Sequence, residues 1–347
     1  MSAFTASPDE RIVVDARSDL LYGSYYLEGL RRTFGWRNMR FGTEGFPPGY
    51  DDAQPFAFRV ERAGTKHSRS AWKVYVAAGD HSTIDQGALA WADVYGKVNL
   101  AIDGDHPKVR ALGPSFPVRV PWRRRPWSST LSAVAASTKA AASNLRRGRL
   151  SLHGIGRDRV ELERYRPVPG RDDYLFFLAW PWRKHQEVNG PRARFIEAAK
   201  QLPNIRFEGG FAPRARDDVA GLESMTAART YRLPEYLDRT AASLASFQCP
   251  AVHGCLGWKL GEFLALGKAI VAIEINHPLP APLRHGEEVW SVADDVDAYR
   301  EALEHLAGDA VHRRHLETGA RAYFERHLTP EATVARLCAD MQLDATS

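Results

Sequence analysis

Apolar positions along this chain follow two rhythms. Short near-continuous runs, RIVVDA (11–16), WKVYVAAGD (72–80) and KVNLAI (97–102), read as buried strands. Between them, SDLLYGSYYLEGLRRTFG (18–35) puts Tyr26, Leu27 and Leu30 on one side of a helix that Gly35 is placed to end, and DQGALAWADVYG (85–96) reads as a short helix. Strand and helix alternate, which predicts a parallel sheet; FAFRVER (56–62), inside a stretch rich in Gly, Pro and charge, reads as an extra strand.

The second half alternates more plainly. DYLFFLAW, NIRFEGG, SLASFQ, KAIVAIEI and EEVWSV read as strands, and GPRARFIEAAKQL, LPEYLDRTA, WKLGEFLAL and VDAYREALEHLA as the helices between them. Such a succession predicts a doubly wound sheet, with ligands beyond the carboxyl ends of the strands. AVHRRHLETGARAYFERHL and PEATVARLCADM are helical stretches with no strand after them. Residues 128–147 are alanine-rich and helix-prone, and RYRPVPGRDD (164–173) has the Pro/Gly/Arg content of an interdomain connection. The expected organisation is an N-terminal domain over 1–164 and a C-terminal domain over 165–325, followed by a closing segment, 326–347.

Composition narrows the class. With 347 residues, 44% hydrophobic and 26% charged, the chain has the make-up of a globular protein long enough for two cores, not of a fibre or a disordered segment. The excess of 47 Lys+Arg over 42 Asp+Glu is concentrated in RVPWRRRPW (119–127) and NLRRGRL (144–150), stretches that read as solvated arginines beside a linker or as a surface for lipid headgroups. No recognition motif for nucleic acid accompanies them, so no nucleic-acid partner is expected. Cys249, Cys255 and Cys338 form neither a CxxC pair nor a zinc spacing, which predicts a reducing compartment. The first residues lack a basic and then apolar signal pattern, and no apolar run approaches a membrane span, so a cytoplasmic location is expected.

The candidate chemistry centres on HGCLGWKLGEFLALGKAIVAIE (253–274), where a strand delivers a loop bearing Gly254 and Gly257 into a helix that carries Lys259 and Glu262. A helix start exposes unpaired N–H groups and partial positive charge, which suits a diphosphate; Lys259 adds a full charge, and Glu262 is placed to accept hydrogen bonds from ribose hydroxyls. By spacing alone the same two side chains are also an ordinary surface ion pair.

This stretch resembles the donor-site segment of the group 1 family of GT-B glycosyltransferases, the matching pattern running over roughly residues 172 to 325, with a more distant likeness to exostosin-type transferases in WKLGEFLALGKAIVA. The resemblance implies an α/β GT-B fold of two Rossmann-like domains. It implies a nucleotide-sugar donor held mainly by the C-terminal domain, a saccharide or lipid-linked glycan acceptor held mainly by the N-terminal one, no cofactor and no obligatory metal. It also implies that the last helix crosses back to the first domain. Carried over by position, Glu262 is the ribose-binding glutamate and Lys259 the basic residue near the diphosphate. Arg183 and Lys184, in LAWPWRKHQEVNG, resemble the family's second basic group there. Many members carry a further glutamate that touches the donor sugar; here that position is Gly254, beside His253, which leaves the sugar and the stereochemical course open. Gly23 and Ser24 stand where the family often has a glycine loop near the phosphates, and the family-level expectation is polysaccharide or glycoconjugate assembly, with the basic stretch near 119–125 touching a membrane peripherally.

VAAGDHSTIDQG follows the second strand and offers Asp80, His81 and Asp85 as candidates for the base that takes an acceptor proton, although each is also a common cap or turn former. Asp103 and Asp105 imitate the metal motif of the GT-A architecture, but Asp-Gly-Asp after a strand reads as a turn. Two alternatives to a metal-independent glycosyltransferase therefore stand: a catalytically silent GT-B-like module that binds nucleotide or glycan, and a metal-dependent GT-A enzyme.

Overall fold

A computed structural model describes residues 7, 9–52, 54–62, 71–103, 106–121, 159–214 and 221–341. The alanine-rich stretch 128–147, the arginines of 123–125 and 144–150, and Asp105 lie outside them. The chain divides into two compact units, residues 1–162 with 278–280 and 327–347, and residues 163–277 with 281–326.

The first unit is built on a six-stranded sheet of β1 (Glu10–Asp15), β2 (Met39–Gly42), β3 (Pro55–Arg62), β4 (Ala71–Ala77), β5 (Val94–Lys97) and β6 (Val109–Ala111), in the order β2-β1-β3-β4-β5-β6. The ladders β1–β2, β4–β5 and β5–β6 are parallel. β3, the FAFRVER run, is antiparallel to both its neighbours and central, where a wholly parallel sheet was expected. Its buried Phe56, Phe58 and Val60 account for the central place: the alternation has enough apolar side chains to join the buried sheet between β1 and β4.

KVNLAI is not the third strand. That strand lies earlier, at Val94–Lys97, because the ladders to β4 and β6 both end at Lys97, after which the Asn99 amide donates to the Gly79 carbonyl at 2.9 Å.

Helix α1 (Ser24–Phe34) buries Tyr25, Tyr26, Leu27 and Leu30 and stops at Gly35, whose φ of 76° favours glycine. Gly29 sits mid-helix because a Cβ there would come within 2.4 Å of the Pro330 carbonyl. The close neighbour is the C-terminal segment, whose last helix, α8 (Pro330–Leu337), packs on α1. The Trp72 indole donates to Leu337 O at 3.3 Å, and the Tyr25 hydroxyl donates to Leu328 O. Helix α2 (Gln86–Trp91) follows β4.

In the second unit, β7 (Tyr174–Ala179) pairs in parallel with β8 (Arg206–Phe211), and β9 (Ser246–Gln248), β10 (Ile270–Ala272) and β11 (Trp290–Ser291) form a second parallel set in the order β11-β10-β9. β9 lies beside β7: Leu244 N donates to Tyr174 O at 2.7 Å, and the Ser243 hydroxyl accepts from Phe176 N at 2.9 Å. Helices α3 (Gln186–Lys200), α4 (Leu233–Ala242), α5 (Trp258–Ala265), α6 (Val296–Gly308) and α7 (Ala310–Tyr323) cover the strands. On one face Phe195 of α3 stacks on Phe247 of β9 at 4.3 Å and Tyr299 of α6 meets Phe247 edge-on at 5.0 Å; on the other, Phe176 packs against Tyr231 and Tyr236. Successive β7 residues thus bury opposite faces, as a doubly wound sheet requires. Among the described residues, no helix is long and apolar enough to cross a membrane.

Candidate functional site

The chain leaves β7 through α3 to β8 on one side, and later enters β9 on the other side of β7. That divergence falls at the carboxyl ends of β7 and β9, the place where parallel α/β sheets take ligands. Two loops border it. In the first, Trp182, Arg183 and Lys184 are exposed, and Asn189 of α3 braces the loop by accepting from Trp182 N at 2.9 Å and donating to Trp182 O at 2.7 Å. Neither Arg183 nor Lys184 has an ion-pair partner among the described residues.

The second loop contains Val252–Gly254, in which His253 has φ 60° and Gly254 φ 72°. Glycine accepts that conformation freely, whereas a histidine held there is strained, a condition that clusters at functional sites. The loops meet: the His185 and His253 rings lie 5.9 Å apart, and His185 also contacts Trp182 and hydrogen-bonds Glu187 at 2.8 Å. α3 starts at His185 and α5 at Gly257, and neither start has a side-chain cap, so both present backbone N–H groups at this edge.

Below the loops lies a concentration of positive charge. The Lys259 ammonium donates to Leu178 O near the end of β7 and sits 5.3 Å from the Phe177 ring and 5.6 Å from that of Tyr236. Burial, and then repulsion from Arg192, push Lys259 down from its ordinary value to about 8, with Glu262 acting the other way. Arg192, one turn into α3, donates to Trp180 O at 3.1 Å and has no carboxylate partner among the described residues. It was not among the residues singled out from sequence; the available signal was a basic residue in the second turn of the helix that follows the first strand of this unit. Glu262, buried, accepts from the Tyr165 hydroxyl at 3.3 Å. The structure therefore brings Arg183, Lys184, His253, Gly254, Gly257 and Lys259 to one edge, with Glu262 a turn further into α5.

The remaining candidates belong to the first unit. Gly23 and Ser24 open α1 but are packed in: a Cβ on Gly23 would meet Phe56 at 2.3 Å, and the Ser24 hydroxyl donates to Leu21 O and accepts from Val118 N. Asp80 and His81 are exposed after β4. Asp85 caps α2, its carboxylate accepting from Ala88 N at 2.8 Å and Asp51 N at 2.7 Å. It lines a cavity of about 350 Å³ together with Phe46, Pro48, Asp51 and Trp91. Next to this lies a group the sequence pattern hid: Asp15, at the end of β1, is gripped at both oxygens by Arg17 and accepts from the Tyr50 hydroxyl at 2.6 Å. Burial and the Asp15 charge push the Tyr50 hydroxyl far up, so it serves as a hydrogen-bond donor and not as a base.

No protein-family model matches the chain, and no curated protein does. Solved structures similar to it include sucrose-phosphate synthase from Thermosynechococcus elongatus (18% identity, 66% of this chain and 65% of that one, TM-score 0.40). Another is an α,α-trehalose-phosphate synthase from Burkholderia vietnamiensis (15% identity, 74% and 63%, TM-score 0.41). A third is the C-terminal domain of a glycosyl transferase group 1 family protein from Francisella tularensis (15% identity, 47% and 95%, TM-score 0.32). The chain thus spans less than two thirds of the length of each of the two synthases.

Proposed function

We propose that the protein is a glycosyltransferase that takes a sugar from a nucleotide-sugar donor and passes it to a hydroxyl of a saccharide or glycoconjugate, without a metal. One observation carries this reading: two helix starts without side-chain caps, at His185 and Gly257, stand together at the divergence of β7 and β9, with Arg183, Lys184 and Lys259 beside them. Such an arrangement attracts a polyanion to that edge. A diphosphate there meets the N–H groups of both helix starts and the side chains of Arg183 and Lys184, and the same cations stabilise the charge that grows on it as the glycosidic bond breaks. Glu262, one turn further into α5, is the carboxylate that would take a ribose hydroxyl, and His253, held in its left-handed conformation, stands at the loop where the donor sugar would sit.

In the first unit, the cavity beside Asp85 offers the aromatic surfaces of Phe46 and Trp91 with the Asp51 carboxylate, a lining that suits a sugar ring. Asp85 is committed to two backbone N–H groups, so the acceptor proton falls to Asp80 or His81.

The test is a thermal-shift and calorimetric screen of nucleoside diphosphates and their sugars, followed by the Arg183→Ala/Lys184→Ala double variant. The expected result is a diphosphate affinity about tenfold weaker, with nucleoside binding unchanged, since two solvated cations contribute roughly 1 to 2 kcal/mol to a phosphate contact. Equal affinity of variant and wild type for the diphosphate refutes the reading.

A second reading has Gly254 in its favour. Without a carboxylate at that position the site has less with which to steer a sugar, and a silent nucleotide- or glycan-binding module follows if donors bind but no acceptor releases the nucleotide.

A further inference from the structure

Far along the second unit, where α6 ends and α7 begins, three side chains with metal-ligating atoms converge. His305 lies in the last turn of α6, His312 in the first turn of α7, and Asp309 between them. One ligand atom from each can be chosen so that all lie within 4.8 Å of one another. We propose that His305, Asp309 and His312 bind a divalent transition-metal ion of the zinc type, independently of the nucleotide site.

The geometry is already close to what such an ion needs. His305 Nε2 and His312 Nδ1 stand 2.8 Å apart, sharing one hydrogen bond, and ligands on a tetrahedral zinc are separated by about 3.4 Å given metal–nitrogen bonds of about 2.0 to 2.1 Å. Replacing the shared proton by an ion needs only a small rotation of His305, which is exposed. Asp309 accepts from His312 N at 2.9 Å through Oδ1 as the cap of α7, and its carboxylate is bonded by Val311 N as well, which fixes it beside the two imidazoles. Trp290 holds both imidazoles in place: His305 stacks on it at 5.1 Å and 20°, and His312 meets it at 4.7 Å and 67°. His285 also lies against this indole at 4.8 Å, with its Nδ1 accepting from Ser291 N.

Two imidazoles and one carboxylate are the ligand set of zinc, cobalt and nickel, and they do not suit calcium or magnesium, which take oxygen. Three protein ligands leave a fourth position for water, and the ion would pin the end of α6 to the start of α7.

Isothermal titration of the full-length chain with zinc chloride tests this. The expected result is one saturable site, with affinity falling at least tenfold in His305→Ala and in His312→Ala. Asp309→Asn is the separating variant: asparagine caps a helix as well as aspartate does, so the metal-free melting temperature stays within about 1 °C of wild type while zinc affinity falls. Zinc should raise the wild-type melting temperature and magnesium should not. Absence of saturable zinc uptake, or uptake of equal affinity in the His305→Ala/His312→Ala double variant, overturns the proposal.

Discussion

Alanine in place of Gly209 is expected to abolish folding of the second unit, or to lower its melting temperature by about 8 °C or more. Gly209 lies in β8 with φ 116°, opposite Phe177 of β7, and a Cβ there would stand 1.9 Å from the Phe177 carbonyl oxygen. Two penalties add. The backbone conformation is one that non-glycine residues hold at a cost of about 1 to 3 kcal/mol, and the clash is with backbone, which cannot rotate away. Separating β8 from β7 to make room breaks the parallel ladder. A total of roughly 4 kcal/mol corresponds to about 8 to 16 °C in a domain of this size. Thermal unfolding followed by circular dichroism checks it, and a wild-type melting temperature for Gly209→Ala would mean that β8 is not held against β7 in this way. Gly210, with φ 126° and a Cβ position 2.2 Å from Met225 O, repeats the constraint on the next residue.

This pair of glycines illustrates what the chain makes legible and what it conceals. NIRFEGG reads as a strand from its apolar alternation, and the structure has β8 there; that both glycines are required by approach to other backbone is a tertiary fact with no local signature. In the second unit most strands and helices stand where the apolar rhythm puts them, because β7, β9 and β10 are buried along nearly their whole length and the helices bury one side. In the first unit the rhythm reads less well. β3 was legible as a strand but not as a central antiparallel one, since pairing direction is set by which neighbours it reaches and not by its own side chains. The shift of the third strand to Val94–Lys97 has the same origin: VYG reads as the tail of a helix but pairs with β4 and β6.

At the candidate site, sequence spacing supplied the loops but not the direction of the side chains. Lys259 at the second position of α5 reads as pointing towards a ligand at the helix start; in the structure its ammonium turns to Leu178 O, over the ring of Phe177. Arg192 carries no mark that separates it from Arg194 two residues on, yet Arg194 is paired with Asp294 whereas Arg192 faces Lys259. The Asp15, Arg17 and Tyr50 group was concealed for another reason: its members are 35 residues apart and one lies in a Gly/Pro-rich stretch without period.

Lys259→Met is expected to lower the rate of sugar transfer about a hundredfold and at the same time to stabilise the fold. The functional loss follows from removing a cation in a water-poor site where negative charge develops, an effect of about 3 kcal/mol. The stability gain follows from the lysine's environment. Its folded value, about 8, lies below the 10.5 of the free side chain, so burying the ammonium costs the fold up to about 3 kcal/mol below pH 8; part of this is offset by the bond to Leu178 O, which methionine cannot make. The sign is opposite to that of a lysine that gains a partner. Between pH 8 and 10.5 the unfolded chain binds more protons at this position than the folded one, so the wild-type protein gains stability as pH rises through that window, and the methionine variant lacks this slope. Activity runs the other way: kcat/KM should fall as the ammonium deprotonates with an apparent value near 8, while the residual activity of Lys259→Met is flat there. A melting temperature that falls in the variant, or a transfer rate that does not, would assign Lys259 to holding β7 and α5 together and leave the cationic site to Arg183, Lys184 and Arg192.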